Sequence, residues 1–416
     1  MLAIHLHAQE SLPPEEIPSA ESTKPAESLE PASTERIVEG RPTLYTIKRV
    51  LHPLSWPDAA LRPVFKSSES GFINRLLVNK PQPKYVRFGV TGVGTGSGFG
   101  PVVTPFHNNA LGKGIQIEAP LLYTYRGYES YQFKASVPLA TQSLVETLSF
   151  DLGTAYKSRT MDQFFGIGND SLVGDETQFR TVTREASAGF TANVNEHWTT
   201  GVWGVFRSIG VTEPAKGLSL HDHFSSSAVP GFSGDSLGSV IFSVGRNTQV
   251  VEDNAFKGGI DQLDLSFNNS VRGGDSRYWR YRFTSQHFIP LTSDARKVIA
   301  VRALLEGNQG RVPFFDMPIL GTASTLRGYE NFRFRDKSAL ALTVEYRYRI
   351  WPRLDWGIFM DQGQVAPHLG DMGWNQFHSA YGMRLFVWAK PTTPISFDYG
   401  RSGETWRLYV NFSPRF

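Results

Sequence analysis

Residues 405–416 read TWRLYVNFSPRF, and apolar and polar side chains alternate along almost the whole stretch. The apolar set shares one face and consists of Trp406, Leu408, Val410, Phe412 and Phe416. Side chains alternate between the two faces of a β-strand, so this stretch predicts a ribbon with one apolar and one polar face. The same alternation returns in long segments along most of the chain, without a helical period between them. Such a pattern is typical of a transmembrane β-barrel.

Composition narrows the class of protein. The 416-residue chain has a formal net charge of +3, which gives no reason to expect a nucleic-acid partner. It lacks a run of about 18 apolar residues, which a membrane-spanning helix needs. Hydrophobic residues make up 40% of the chain, and a barrel tolerates this because its lipid-facing side chains occupy only alternate positions. The absence of cysteine excludes disulfides, thiolate metal ligands and an acylated lipoprotein cysteine.

The chain divides into three short N-terminal parts and one long remainder. Residues 1–8 resemble the end of a signal peptide, although they lack its basic start and a full apolar core. Residues 9–42 are rich in glutamate, proline and serine, so we expect a disordered acidic segment. Residues 43–80 form a short N-terminal segment with a candidate helix at 71–78, which would lie at the barrel mouth or inside the lumen. We expect the barrel itself to occupy residues 81–416.

Sixteen strands are predicted, an even number, as antiparallel closure of a single chain usually gives. They lie at 84–94, 98–108, 113–125, 128–138, 146–158, 176–192, 196–211, 237–249, 256–270, 276–289, 296–308, 334–350, 353–365, 377–389, 393–401 and 404–415.

The arginines within these strands indicate which face is internal. An arginine that faces lipid near mid-membrane costs about 2–4 kcal/mol. The register that turns the arginines inward is therefore favoured at Arg280, Arg282, Arg347, Arg349 and Arg384. A large soluble sandwich is the alternative, but the strand lengths, the inward arginines and the terminal phenylalanine favour a barrel.

Connection lengths predict which end of the barrel faces which compartment. The short connections 126–129 and 390–392 are expected to be periplasmic turns, and the long ones 212–236 and 309–333 to be extracellular loops. Tryptophans are expected to form aromatic girdles at the membrane interfaces. They are Trp203, Trp279, Trp351, Trp356 and Trp388.

One constellation combines a loop with two neighbouring strands. The loop between strands eleven and twelve contains Leu326, Arg327, Gly328 and Tyr329. Parity turns two groups of strand residues inward: Glu345 and Arg347 on strand twelve, and Phe359, Asp361 and Gly363 on strand thirteen. An arginine that folds into the lumen would meet these carboxylates in a charge-assisted pair. The sequence therefore predicts an inward-folded extracellular loop docked on strands twelve and thirteen.

At these positions the chain resembles the BamA/TamA superfamily of outer-membrane assembly and translocation barrels, also described as bacterial surface antigens. The loop motif of that family, hydrophobic-Arg-Gly-aromatic, matches 326–329, and its Phe-x-Asp-x-Gly strand matches 359–363. The glycine-rich stretch 92–100, the Phe-Phe-Gly-Ile-Gly-Asn-Asp stretch 164–170 and the C-terminal strand are also similar. The resemblance covers roughly 84–416. Family members usually carry periplasmic POTRA domains before the barrel, and the N-terminal segments are not expected to form one.

The resemblance implies insertion or translocation of proteins, or lipid, at the bacterial outer membrane. Expected partners are outer-membrane lipid, client outer-membrane or secreted proteins, and separate periplasmic partner proteins. The first strand is rich in glycine and packs poorly, so we expect a lateral seam between the first and last strands to open and pair with an incoming strand. The predicted seam residues are Tyr85, Arg87, Gly92, Trp406, Leu408 and Phe416. Arg327 is a candidate strut for this opening, and simple stabilisation of the barrel explains the same contacts equally well.

The sequence gives weaker support for other functions. The glycines at 92–100 superficially match a nucleotide-binding loop, but no helix follows them. No catalytic set, metal site or cofactor site stands out, so we do not expect an enzyme. A passive porin with a loop-lined constriction and an accessory surface antigen that acts with separate periplasmic proteins are the alternatives.

Overall fold

The computed structural model describes residues 85–92, 96–139, 145–252, 255–351, 353–390 and 393–411. The predicted signal-peptide remnant (1–8), acidic segment (9–42) and short N-terminal segment (43–80) lie outside the described residues, as does Phe416.

Twenty strands follow one another along the described part of the chain. They are β1 (Val86–Thr91), β2 (Gly100–Ala110), β3 (Ile115–Glu118), β4 (Leu121–Tyr123), β5 (Glu129–Leu139), β6 (Thr147–Phe164), β7 (Thr177–Asn193), β8 (Trp198–Thr212), β9 (Gly234–Asn247), β10 (Val250–Glu252), β11 (Ala255–Ser270), β12 (Arg277–Pro290), β13 (Lys297–Arg311), β14 (Ile319–Leu320), β15 (Phe334–Arg335), β16 (Ser338–Trp351), β17 (Leu354–Ala366), β18 (His378–Lys390), β19 (Thr393–Ser402) and β20 (Trp406–Asn411).

The long strands form one antiparallel meander, in which strands adjacent in sequence are adjacent in the sheet. β3 and β4 share one position between β2 and β5, because Ala119 and Pro120 interrupt the strand. β10 is a short arm that pairs with the start of β11, and β14 pairs with β15 inside a loop. Within the described residues the meander has sixteen positions, as predicted from the sequence.

The meander curves back on itself. β6 holds the fifth position and β17 the thirteenth, yet the backbone N–H of Val365 in β17 donates to Asn169 Oδ1, just beyond β6, at 3.0 Å. Strands about 4.8 Å apart in a flat sheet would separate these positions by tens of ångströms. The contact therefore requires a barrel-like closure of the sheet.

The two faces of the strands differ as the alternation predicts. Outward side chains are large, apolar and exposed, as at Trp279, Tyr381 and Leu408, which are 59%, 60% and 67% exposed. Inward side chains are often charged and buried, as at Glu345 and Asp398, both 0% exposed. The arginines predicted to face inward meet carboxylates there. Arg280 pairs with Glu306, Arg347 and Arg384 with Glu345, and Arg349 with Asp355, and Arg282 lies 3.7 Å from Glu306.

One end of the barrel carries the loops 165–176, 213–233 and 312–337, and we call it the long-loop end. The turn at 126–129 also lies there. The backbone N–H of Ala215 donates to Thr160 O at 3.1 Å, and the Thr160 hydroxyl donates to Arg126 O at 3.1 Å. The prediction that 126–129 is a periplasmic turn, opposite the long loops, is therefore wrong. The direction of the flanking strands determines at which end of the barrel a connection lies, whatever its length.

Two tryptophans are placed differently from the prediction. Trp203 is 7% exposed and lies over the inner wall, where a Cβ on Gly201 would be 2.1 Å from its ring. Trp388 is 2% exposed and donates its ring N–H to Asp355 Oδ2 at 2.9 Å. Both occupy inward positions, so they do not belong to a lipid-facing girdle.

The helices among the described residues are short. One α-helix spans Leu220–His223, and single 3₁₀ turns span Val173–Asp175, Phe314–Asp316, Leu369–Asp371 and Trp374–Gln376. None of them is long and apolar enough to cross a bilayer.

Candidate site: a loop docked on an internal charge cluster

The loop 312–337 packs inside the barrel through its apolar side chains. Leu320, Leu326 and Phe334 are each 0% exposed and belong to one cluster with wall residues such as Ala341 and Val365. The short β14–β15 pair holds the two arms of the loop together. Burial of these side chains removes apolar surface from water, which stabilises the docked loop.

Arg327, at the tip of this loop, is 2% exposed and binds Asp361 on β17. Its Nε donates to Asp361 Oδ2 at 2.8 Å and its Nη2 to Asp361 Oδ1 at 2.8 Å, a bidentate geometry. The backbone N–H of Arg327 also donates to Asp361 Oδ2, at 3.0 Å. Its Nη1 donates to Glu345 Oε2 on β16 at 3.3 Å. The structure thus brings together the loop arginine and both predicted carboxylates.

Glycines allow the loop backbone to approach the wall. Gly328 has φ +104°, and a Cβ there would lie 2.7 Å from Arg401 N on β19. A Cβ on Gly400 would in turn lie 2.7 Å from Arg327 C. Real Cβ atoms do not come this close to backbone atoms, so the contact requires glycine on both sides. The Ser402 hydroxyl then donates to Gly328 O at 2.9 Å.

The Phe-x-Asp-x-Gly strand has a physical role for each named position. The Phe359 ring lies under the guanidinium of Arg327, with Cζ 3.3 Å from the ring centroid, a cation–π arrangement. Asp361 accepts the arginine, and the Thr343 hydroxyl also donates to Asp361 Oδ1 at 2.8 Å. A Cβ on Gly363 would lie 2.9 Å from Leu320 Cδ1, so glycine leaves room for the loop.

Two further arginines join the same site. Arg384 Nε donates to Asp398 Oδ1 at 2.6 Å, and its Nη1 donates to Glu345 Oε2 at 3.1 Å. Arg347 Nε donates to Glu345 Oε1 at 2.6 Å. Arg327 Nη1 lies 3.7 Å from Asp398 Oδ2. We call the six residues Arg327, Arg347, Arg384, Glu345, Asp361 and Asp398 the charge cluster.

Sequence reasoning placed Arg384 inward but did not assign it or Asp398 to the site. The signal that could have found them is register, because Asp398 on β19 lies directly opposite Arg384 on β18. Tyr329, the aromatic residue of the loop motif, is 5% exposed and its hydroxyl donates to Ser379 O at 3.3 Å. It anchors the loop to β18 beside the charge cluster.

The root of the loop is held separately. Arg207 on β8 donates to both carboxylate oxygens of Asp316, at 2.9 and 2.5 Å, and Tyr278 on β12 donates to the same group. Burial opposes ionisation of Asp316, but the attraction and hydrogen bonds of Arg207 outweigh it and hold the pKa of this carboxyl well below its usual range. Asp316 therefore fixes the root of the loop to β8 and β12.

Among the described residues predicted for the seam, Arg87 lies on β1, Tyr85 and Gly92 flank β1, and Trp406 and Leu408 lie on β20. Tyr85 stacks on His107 with ring centroids 5.4 Å apart, and Arg87 pairs with Glu118 at 3.1 Å. Gly92 follows β1 directly, and a Cβ there would lie 2.4 Å from Gly98 O. On β20, Trp406 and Leu408 are exposed on the outer face. Among the described residues, no backbone ladder joins β1 to β20.

Comparison with known families identifies this arrangement. The family model of the Omp85 superfamily domain matches residues 109–413. The chain belongs to the Omp85 superfamily. Omp85 proteins are outer-membrane barrels of a family that inserts or translocates proteins. The match confirms the resemblance predicted from the loop motif, the docking strand and the C-terminal strand.

Solved structures similar to this Omp85 chain include one BamA and two CdiB barrels. The BamA of Haemophilus ducreyi, in a crystal structure lacking POTRA domains 1–3, covers 79% of this chain and 68% of its own, with 15% identity and a TM-score of 0.57. CdiB from Acinetobacter baumannii covers 78% of this chain and 59% of its own, with 10% identity and a TM-score of 0.47. CdiB from Escherichia coli covers 85% and 69%, with 14% identity and a TM-score of 0.46. No curated protein sequence matches the chain. The likeness to BamA confirms the predicted all-β barrel fold.

Proposed function

We propose that this Omp85 barrel inserts or translocates client proteins at the outer membrane through a lateral seam between β1 and β20. One observation carries the proposal. The loop tip is bound to the wall on the β20 side of the seam by the charge cluster, while no ladder joins β1 to β20 among the described residues.

The wall on the β20 side is suited to act as a fixed support. Members of the charge cluster come from β16, β17, β18 and β19, so that the loop tip contacts or lies beside four consecutive strands. Removal of one partner from a buried ion pair leaves an uncompensated charge, which is strongly destabilising. The cluster therefore resists displacement of these strands while the seam opens.

The β1 side offers a strand edge. β1 has six residues, and its Phe88 and Val90 are 64% and 50% exposed. An extended client segment can add to an exposed strand edge through backbone hydrogen bonds, with apolar side chains facing lipid. Because this recognition uses the backbone and alternate apolar positions, the client class is a strand-forming membrane protein.

A locked seam tests the proposal. The chain contains no cysteine, so cysteine pairs with one member in 86–91 and one in 406–411 can be cross-linked selectively. The purified full chain would be placed in liposomes, and insertion of an unfolded outer-membrane protein would be followed by protease protection. Cross-linked pairs are expected to block insertion, and reduction is expected to restore it.

The matched control locks a ladder away from the seam. Leu148→Cys with Ala192→Cys joins two residues that are opposite each other in the β6–β7 register. This control should leave insertion unchanged. Full insertion by the locked seam, together with a steady conductance that survives deletion of 312–333, would instead identify a passive porin.

A further inference from the structure

The segment 165–171 follows β6 and contacts the far wall of the barrel. Asn169 accepts the backbone N–H of Val365 on β17 at 3.0 Å, and its Nδ2 donates to Gln376 O at 3.0 Å. The His378 ring nitrogen Nε2 lies 3.1 Å from Asn169 O. Positive φ angles at Gly166 and Gly168, +96° and +115°, give the segment the bend that this path needs. The amide of one asparagine thus joins two walls that are eight strand positions apart.

Arg333 extends this connection towards the seam. It is 3% exposed, and its Nη1 and Nη2 donate to Ser171 Oγ and Ser171 O at 2.8 and 2.6 Å. Its Nε and Nη2 donate to Glu404 Oε2 and Oε1 at 2.8 and 2.9 Å, a bidentate pair. The rings of Phe165 and Phe334 lie within 5.2 and 4.6 Å of its Cζ. All three guanidinium nitrogens are therefore used, and the charge is covered by aromatic rings.

Glu404 lies in the turn between β19 and β20, and its backbone N–H donates to Ser402 Oγ at 3.1 Å. β20 is the last strand of the meander and forms one side of the proposed seam. A chain of contacts consequently runs from the wall at β6, through Ser171 and Arg333, to the turn that carries β20.

We propose that Asn169, Ser171, Arg333 and Glu404 form a cross-barrel brace that holds the β19–β20 turn against the opposite wall. Arg333 positions Glu404 relative to Ser171, because it binds both residues. The brace is separate from the charge cluster, because it fixes the end of the β19–β20 hairpin and not the inner face of the wall. Its role as a control on seam opening rests on the proposed function, while its mechanical role does not.

The brace is fixed at both ends for a physical reason. Loss of Glu404 would leave the guanidinium of Arg333 buried without its carboxylate, and loss of Arg333 would leave Ser171 O without its donor. Either change removes charge-assisted hydrogen bonds of a guanidinium that is buried, and such bonds are strong. Both single substitutions should therefore release the turn.

Spin labels on cysteine can measure this release in the full chain in detergent or liposomes. Gly174 and Gly403 are suitable label sites, because a Cβ on either meets nothing within 4 Å. The unaltered chain should give a single narrow distance distribution between these labels. Arg333→Ala and Glu404→Ala should each replace it by a broad one.

Two controls make the result specific. Gly370 is also open, and the 174–370 distance should stay narrow in Arg333→Ala, because Asn169 still joins those loops. Arg311→Ala removes an arginine from an exposed pair, with side-chain exposures of 72% and 80%, and should leave the 174–403 distance unchanged.

A narrow 174–403 distribution in both brace variants would overturn the proposal. If Arg333→Ala fails to fold, Glu404→Ala decides alone, since the Glu404 side chain is 26% exposed and sits in a turn. Client insertion in liposomes is measured in parallel. A released turn without a change in insertion rejects the control role alone, and a locked seam that still inserts clients rejects the proposed function alone.

Discussion

The wall formed by β16–β19 and the hairpin formed by β1 and β2 flank the proposed seam and are built differently. The wall strands are 10 to 14 residues long and present buried charged side chains to the docked loop. β1 has six residues, and its ion pair, Arg87–Glu118, is 40% and 33% exposed. Burial raises the strength of charge pairing and the cost of breaking it. The comparison shows that the β16–β19 wall is fixed by buried charged contacts inside the barrel. The β1–β2 hairpin is held mainly by backbone pairing.

Backbone pairing on the β1 side is itself incomplete. Pro105 in β2 accepts from the N–H of Ala119 at 2.9 Å but has no N–H to donate in return. Pro101 lies four residues away on the same edge of β2, and Pro120 separates β3 from β4. The β1–β2 hairpin is thus joined to the rest of the meander by a ladder that lacks the N–H donors of Pro101 and Pro105. On the proposed function, this hairpin is the side of the seam expected to move.

The largest expected effect comes from Arg327→Ala. The change leaves Asp361 buried without its arginine and removes one of the three arginines that bind Glu345, which should lower the free energy of unfolding by about 3–5 kcal/mol. Unfolding by urea in lipid vesicles measures this loss. Arg311→Ala, at an exposed pair, is the control and should change stability by less than about 1 kcal/mol. Equal effects of the two substitutions would show that burial does not make the charge cluster stronger than an exposed pair.

Gly400→Ala should have the next largest effect. The new Cβ would lie 2.7 Å from Arg327 C, so the loop tip must withdraw or the strand must shift. Overpacking of this kind costs about 1–3 kcal/mol. Tryptic cleavage after Arg327 should become faster than in the unaltered chain. Gly403→Ala, where a Cβ meets nothing within 4 Å, is the control. An unaltered cleavage rate in Gly400→Ala contradicts the close backbone approach.

Pro105→Thr should strengthen the β1–β2 side of the proposed seam, which is the weaker one. The substitution restores an N–H towards β3, and one added hydrogen bond contributes about 0.5–1.5 kcal/mol. Amide exchange of residues 115–118 should slow, and client insertion should fall if the hairpin is the moving side. Pro290→Thr, at the end of β12, controls for the general effect of removing proline. Faster amide exchange in Pro105→Thr would show that the missing N–H does not weaken the ladder between β2 and β3.

The smallest effect is expected at the exposed pair of the first strand. Arg87→Ala removes a partner that is 40% exposed and should lower stability by no more than about 1 kcal/mol. The same unfolding assay applies. A loss as large as that of Arg327→Ala would show that β1 is also held by a strong ionic contact.

Much of the architecture could be predicted because side chains in the strands of a barrel wall alternate between its two faces with a period of two residues. Alternation placed Trp406 and Leu408 outward and Glu345 and Asp361 inward, and the loop motif selected the partner of Asp361. Asp398 was missed because parity gives a face but not a neighbour across the sheet, which only the register supplies.

Other features depend on contacts between segments that are distant in sequence. Arg333, Glu404 and Ser171 carry no local pattern, since their positions become related only when the sheet closes. The inward side chain of Trp388 meets Asp355 on the adjacent strand β17, a neighbour that alternation along one strand does not give. The prediction that 126–129 is periplasmic failed because it used loop length in place of strand direction.

The composition of the charge cluster has an electrostatic consequence. With Arg327 in place, three guanidinium groups face three carboxylates, so the six residues of the charge cluster carry no net charge. If the loop tip left the lumen, Arg347 and Arg384 would face Glu345, Asp361 and Asp398, with one negative charge in excess. An isolated charge in a space shielded from water is unfavourable. Departure of the loop therefore favours the gain of a positive charge at this site, such as a proton on a carboxylate, a basic side chain of another segment or a hydrated ion.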